Sequence, residues 1–191
     1  MDKSKKIDTT DMTPVFLIGY MGSGKTTLGR VLAKAMGFSF IDLDWYIEGR
    51  YHKKVGELFA ERGESGFREI ESRLLREVGQ MNDTVVAAGG GTPCFNDNLD
   101  FMRRSGLVVY LKASEEVLFD RLRQARSQRP LLRGKNDEEL RAYLSETLDQ
   151  RSPYYKQAHC VFDSSRLESV KEIDVAAQEL KKIIYQQIDK R

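Results

Sequence analysis

Gly19-Tyr20-Met21-Gly22-Ser23-Gly24-Lys25-Thr26 fits the phosphate-binding loop pattern of Gly, four residues, Gly-Lys and then Ser or Thr. The apolar run Val15-Phe16-Leu17-Ile18 stands just before it, and Leu28-Gly29-Arg30-Val31-Leu32-Ala33-Lys34-Ala35-Met36 follows. A buried strand, a glycine turn and a helix form the context this loop requires. Its glycines let successive backbone N–H groups curl inward toward phosphate oxygens, and the helix N-terminus adds partial positive charge there. Lys25 supplies a point charge for the outer phosphates, and the Thr26 hydroxyl is placed for Mg²⁺. The stretch predicts a nucleoside triphosphate site built from Gly22, Ser23, Gly24, Lys25, Thr26 and Thr27.

Four more short apolar runs follow: Phe38-Ser39-Phe40-Ile41, Thr84-Val85-Val86-Ala87-Ala88, Leu107-Val108-Val109-Tyr110-Leu111 and His159-Cys160-Val161-Phe162. Continuous apolar runs of this length read as strands covered on both faces. Helical periods lie between and after them, as in Phe67, Ile70, Leu74, Leu75 and Val78, and again from Val170 to Ile188. The alternation predicts an α/β protein with a five-stranded parallel sheet and helices on both faces. Ligands of such sheets collect at the carboxyl ends of the strands. The glycine loop, Asp42-Leu43-Asp44 and Gly89-Gly90-Gly91 all fall there.

The chain has 191 residues, 40% of them hydrophobic, with 31% charged and a net charge of +2. This balance describes a mixed surface and argues against a nucleic-acid-binding or membrane-binding face. Cys94 and Cys160 form neither a disulfide framework nor a metal-ligand spacing, which suits a cytoplasmic protein. The polar residues 1–12 read as a loose tail without a secretory signal, and 13–191 as one domain. A basic segment at about 124–136 reads as a lid that closes over substrates, with Asp137 as the N-cap of the next helix.

Several residues stand out for chemistry. Asp42 and Asp44, if extended, face the same side, where one suits Mg²⁺ and the other an acceptor hydroxyl. The triple glycine serves either close approach of a ligand to bare backbone or a tight turn. Arg68 and Arg151 are of the type that recognises carboxylates bidentately, or else are surface residues or members of structural ion pairs. Pro153 is expected to end the helix begun near Asp137. Trp45 either packs beside a substrate or faces the core, and Cys94 lies near the substrate or acts as a small buried hydrophobe.

Taken together, the glycine loop, Asp42-Leu43-Asp44, Phe67-Arg68-x-x-Glu71, Gly89-Gly90-Gly91, Arg129-Pro130-Leu131-Leu132 and Arg151-x-Pro153-x-Tyr155 resemble the shikimate kinase family, in its order and roughly its spacing. The resemblance spans about residues 14 to 165. It implies a P-loop kinase architecture like that of nucleoside monophosphate kinases, with substrate-binding helices at about 44–80 and a mobile lid. It implies ATP-dependent phosphorylation of the 3-hydroxyl of shikimate, on the way to chorismate and the aromatic amino acids, with Mg²⁺ as cofactor. Lys25, Asp44 and Arg129 would be catalytic, and Thr26 and Asp42 would hold the metal. Asp44, Arg68, Gly89, Gly90, Gly91 and Arg151 would bind shikimate. Arg129 and Ser165 would help to bind ATP, with adenine held by Arg121 or Arg123 and the loop Ser164-Ser165-Arg166. Shikimate and ATP would be its only partners, and the protein a monomer. A gluconate kinase shares the loop and the aspartate pair but gives no reason for Arg68, the triple glycine and Arg151 together. A guanine-nucleotide switch is disfavoured, because neither Asn-Lys-x-Asp nor Asp-x-x-Gly occurs in the chain.

Overall fold

The computed structural model describes residues 13–126 and 132–190. Its strands are β1 (Val15–Ile18), β2 (Ser39–Asp42), β3 (Thr84–Ala87), β4 (Leu107–Lys112) and β5 (Cys160–Asp163). Its helices are α1 (Lys25–Met36), α2 (Leu43–Tyr51), α3 (Val55–Val78), α4 (Asn98–Ser105), α5 (Glu115–Gln124), α6 (Asp137–Tyr155) and α7 (Val170–Ile188). All strand pairs are parallel, in the order β2-β3-β1-β4-β5. The expected sheet is therefore present, with ends shifted by a residue.

The reason for the continuous apolar runs is visible residue by residue. Phe16 and Ile18 of β1 pack into the core beneath α2, α3, α5 and α6, while Val15 and Leu17 pack beneath α1 and α7. Val86 and Val85 of β3 divide in the same way, as do Val108 and Val109 of β4. Alternating side chains meet an apolar layer on each face, so neither face tolerates polar residues.

Central β1 has β3 on one side and β4 on the other. The chain leaves it toward β2 and β3 and later crosses to β4 and β5, which opens a crevice at the carboxyl end of β1. Two local readings need correction. The N-cap of α6 is Asn136, whose side chain accepts from Glu139 N–H in a reciprocal capping box; Asp137 is the first helical residue and accepts instead from Arg126. Pro153 does not stop α6, which runs on to Tyr155. The buried Tyr155 ring anchors this last turn against the sheet, overriding the local cost of the proline. Within α3, Gly63 adopts φ 67° and ψ 179°, so two helical pieces meet there at a break.

Residues 1–12 lie outside the described residues. So do Arg129, Pro130 and Leu131 of the basic segment. The described ends of that segment are tied together, because Arg126 donates to the Lys135 carbonyl at 2.7 Å and pairs with Asp137. No helix among the described residues is long and apolar enough to cross a membrane.

Candidate active site

The loop between β1 and α1 turns through glycines that carry positive φ, 84° at Gly22 and 90° at Gly24, where a Cβ would be strained. Gly24 ends the loop as the N-cap of α1 without any side-chain cap, so the first N–H groups of α1 open into the crevice. Ser23 is buried beneath the loop, and its N–H donates to the Tyr20 carbonyl at 3.1 Å. Lys25 Nζ donates to the carbonyls of Gly19 and Tyr20, each at 2.8 Å. The crevice, about 390 Å³, is lined by Met21, Gly22, Gly24, Lys25, Thr26, Thr27, Asp42, Asp44, Ala87 to Gly90, Arg121, Leu167 and Glu168.

Asp42 and Asp44 both face this crevice, but not as an extended pair. β2 ends at Asp42, and α2 begins at Leu43. Asp42 is its N-cap: Oδ1 accepts from the N–H groups of Asp44 and Trp45 at 3.1 and 3.4 Å. Its other oxygen, Oδ2, accepts from Thr26 Oγ1 at 2.6 Å. One carboxylate thus joins the phosphate loop to the helix that carries Asp44. The Asp44 carboxyl is pushed up to about 6, mainly by burial, then by the charges of Asp42 and Glu71, with Lys25 opposing.

The hydroxyl of Thr26 and a carboxylate oxygen of Asp42 meet at one point, which suits a hard, oxygen-seeking cation such as Mg²⁺. Among the described residues there is no cluster of three or more His, Cys, Asp or Glu that could cage a metal. An ion held there would draw its remaining ligands from phosphates and water, as Mg²⁺ commonly does.

Beyond the aspartates, the three glycines after β3 form a wall and lead into a tight turn, in which Thr92 N–H donates to the Gly89 carbonyl at 3.1 Å. None has a positive φ; space is what they supply. A Cβ on Gly89 would lie 3.1 Å from Asp44 Oδ1 and 3.3 Å from Glu71 Oε1. On Gly90 it would lie 3.4 Å from Arg151 Nη1, and on Gly91 only 2.7 Å from Arg68 Nη2. Asp44, Arg151 and Arg68, from three separate helices, therefore close on three consecutive bare residues.

Arg68 comes from the second piece of α3. Its Nη1 donates to Glu71 Oε2 at 2.8 Å, and its guanidinium stacks on Phe95 at 3.9 Å, while the buried Nε makes no hydrogen bond. The Glu71 side chain is 2% exposed, and its Oε1 accepts from Thr92 Oγ1 at 2.6 Å. The i,i+3 spacing from Arg68 to Glu71 is the signal the sequence carries for this pairing. Arg151 lies over the Tyr20 ring at 5.7 Å. Burial pushes the Cys94 thiol up to about 11 although Arg151 and Arg68 oppose it, so Cys94 stays neutral beside the two arginines. Trp45 does not face the core. It is 49% exposed, with the Arg30 guanidinium 4.7 Å from its ring.

At the other end of the crevice, Arg121 is the arginine that reaches the nucleotide loop. It donates to the carbonyls of Gly22, Ser164 and Ser165, all at 3.1 Å, and pairs with Glu168. Arg123 points away and pairs with Asp120. The Ser165 hydroxyl accepts from Ser114 N–H, and Leu167 and Glu168 line the crevice beside it.

A phosphate-binding loop, a paired Thr and Asp at its foot, and an acceptor pocket with a perturbed carboxyl and two arginines define a P-loop kinase for a small, negatively charged acceptor. The chain's relatives agree. A family model described as shikimate kinase matches residues 21–185. The shikimate kinase of Bacteroides fragilis is 50% identical over 173 residues, covering 91% of this chain and 97% of that one. The crystal structure of shikimate kinase from Bacteroides thetaiotaomicron superposes with a TM-score of 0.89 at 49% identity, over 92% of this chain and 99% of that one. Shikimate kinase from Acinetobacter baumannii, solved in complex with shikimate, gives 0.78 at 33% identity, over 92% and 94%. The chain belongs to the shikimate kinase family.

Proposed function

We propose a division of labour among these residues for the family's reaction, the ATP-dependent phosphorylation of shikimate at its 3-hydroxyl. The observation that carries it is the meeting of Asp44, Arg68 and Arg151 on the glycine wall, one side chain from the triphosphate loop. Gly22, Ser23, Gly24, Thr26 and Thr27 form the cradle for the phosphates of ATP, with Lys25 as the mobile charge that follows the transferred group. Arg129 supplies a second positive charge from the lid at about 124–136. Arg121 and the Ser164–Glu168 stretch, Ser165 included, hold the base end of the nucleotide.

Thr26 and Asp42 hold Mg²⁺, which neutralises phosphate charge when bound. Asp44, ionised above about pH 6, orients the acceptor hydroxyl and accepts its proton. Arg68, held flat by Glu71 and Phe95, and Arg151 bind the shikimate carboxylate, while Gly89, Gly90 and Gly91 let the ring approach. The free cysteines and the family resemblance support a cytoplasmic monomer of one domain; sedimentation of a single 21.9 kDa species would agree.

A coupled assay of ADP release with MgATP tests the reading against shikimate, quinate, gluconate, AMP and no acceptor. Release with shikimate alone is the expected result. Equal release with gluconate, or with no acceptor, would overturn the acceptor half and leave the nucleotide half standing.

A further inference from the structure

The residue that ties the acceptor pocket together is one to which the reaction assigns no role. Tyr155 is fully buried at the last turn of α6, its ring 5.2 Å from that of Tyr110 on β4. Its hydroxyl donates to the Gly90 carbonyl at 2.6 Å, across 65 residues of sequence. The Arg151 guanidinium, four residues earlier and thus on the same face of α6, stands against Gly90, its Nη1 3.4 Å from where a Cβ on that residue would lie. The phenol therefore donates to the glycine against which the arginine stands. Burial raises the hydroxyl's ionisation well above its ordinary range, so it stays protonated at any working pH.

A phenylalanine would fill the same space against Tyr110, so packing does not account for the hydroxyl. What the hydroxyl adds is direction. Held by it, the Gly90 carbonyl fixes the peptide leading to Gly91, which faces Arg68. Gly90 in turn backs the Arg151 guanidinium, so holding Gly90 also sets where Arg151 stands. We propose that Tyr155 is a positioning residue for acceptor binding, its hydroxyl locking Arg151 and the glycine wall into one geometry. The inference rests on Arg151 being a carboxylate ligand.

Steady-state kinetics of Tyr155→Phe, Arg151→Ala and the double variant test it. Tyr155→Phe should raise the KM for shikimate about tenfold, the effect of losing one net hydrogen bond, while kcat and the KM for ATP stay within about twofold. A residue that only stabilised the fold would lower the melting temperature without this split. In the Arg151→Ala background the tyrosine substitution should raise KM no further, because the two act as a unit. An unchanged shikimate KM in Tyr155→Phe, with a raised one in Arg151→Ala, would overturn the proposal and spare the carboxylate reading. An unchanged KM in Arg151→Ala would overturn both. Should Tyr155→Phe fold poorly, Gly90→Ala keeps the phenol and sets a methyl 3.4 Å from Arg151. It should show the same split, and a wild-type shikimate KM there would equally defeat the proposal.

Discussion

Asp44 shows how a single side chain trades stability for reactivity. Its carboxyl is raised from 3.8 to about 6 because the fold buries it among like charges. A base with that value is ionised at neutral pH yet basic enough to take a proton, so kcat/KM should rise with pH through about 6. Asp44→Asn should lower kcat and abolish this rising limb while MgATP still binds. Wild-type turnover would remove Asp44 from the chemistry. The same shift has a stability consequence with a definite sign. The folded state holds the proton more tightly than the unfolded chain, so Asp44's contribution is full below about pH 3.8 and lost as pH rises through about 6. A shift of roughly two units corresponds to about 3 kcal/mol at most. Asp44→Asn should therefore melt higher than wild type at pH 8 and no higher at pH 4, as thermal unfolding would reveal. Arg68 should behave differently, since the ligand proposed for it is a carboxylate away from the reacting oxygen. Arg68→Ala should raise the shikimate KM about a hundredfold, the cost of truncating one partner of a closed charge pair. An unaltered KM would remove Arg68 as a carboxylate ligand. The change also strands the buried Glu71 carboxylate, so adding Glu71→Gln should recover melting temperature without recovering KM.

At the scale of elements, the site works because helices end or begin where their side chains are needed. α2 starts at Leu43, directly after Asp42, since a capping carboxylate stabilises the first turn more than an extended Asp-Leu-Asp would. The sequence displayed the two aspartates and their shared destination; it did not display the cap, because a capping bond and an i,i+2 strand pair look alike in the spacing. Asn136 and Asp137 look alike in the sequence for a similar reason, as both types cap well and only the box with Glu139 separates them. The triple glycine was legible as a special feature, but its purpose depends on side chains from α2, α3 and α6. That purpose gives a prediction. In Gly91→Ala the methyl would stand 2.7 Å from an Arg68 guanidinium that Glu71 and Phe95 hold in place. The arginine must yield its position, so the shikimate KM should rise at least tenfold, as for a lost charged hydrogen bond, with the KM for ATP unmoved. Titration calorimetry with shikimate would register the loss directly. Undiminished affinity would mean the arginine has slack that the contacts do not suggest.

Across the whole molecule, the number and type of strands were plain from five apolar runs, but their order was not. The pairing of β1 with both β3 and β4 depends on contacts between residues about seventy and ninety apart, which no local pattern records. Long-range partners were likewise hidden: Thr92 for Glu71, Gly90 for Tyr155, and the carbonyls gathered by Arg121. This last residue is where the two ends of the fold meet. From α5 it binds the phosphate loop after β1 and the stretch after β5, elements 99 and 43 residues away. Its ion pair with the exposed Glu168 contributes little in water, whereas the carbonyl contacts fix the loop after β5 against the nucleotide crevice. Arg121→Ala should therefore raise the KM for ATP about tenfold, the worth of one or two net hydrogen bonds, and leave the shikimate KM where it was. Arg123→Ala, whose side chain pairs with Asp120 outside the crevice, should change neither. Measured side by side, the two variants separate the nucleotide end from the acceptor end. Equal effects on both substrates in Arg121→Ala would mean that this arginine holds the fold as a whole and not one end of the site.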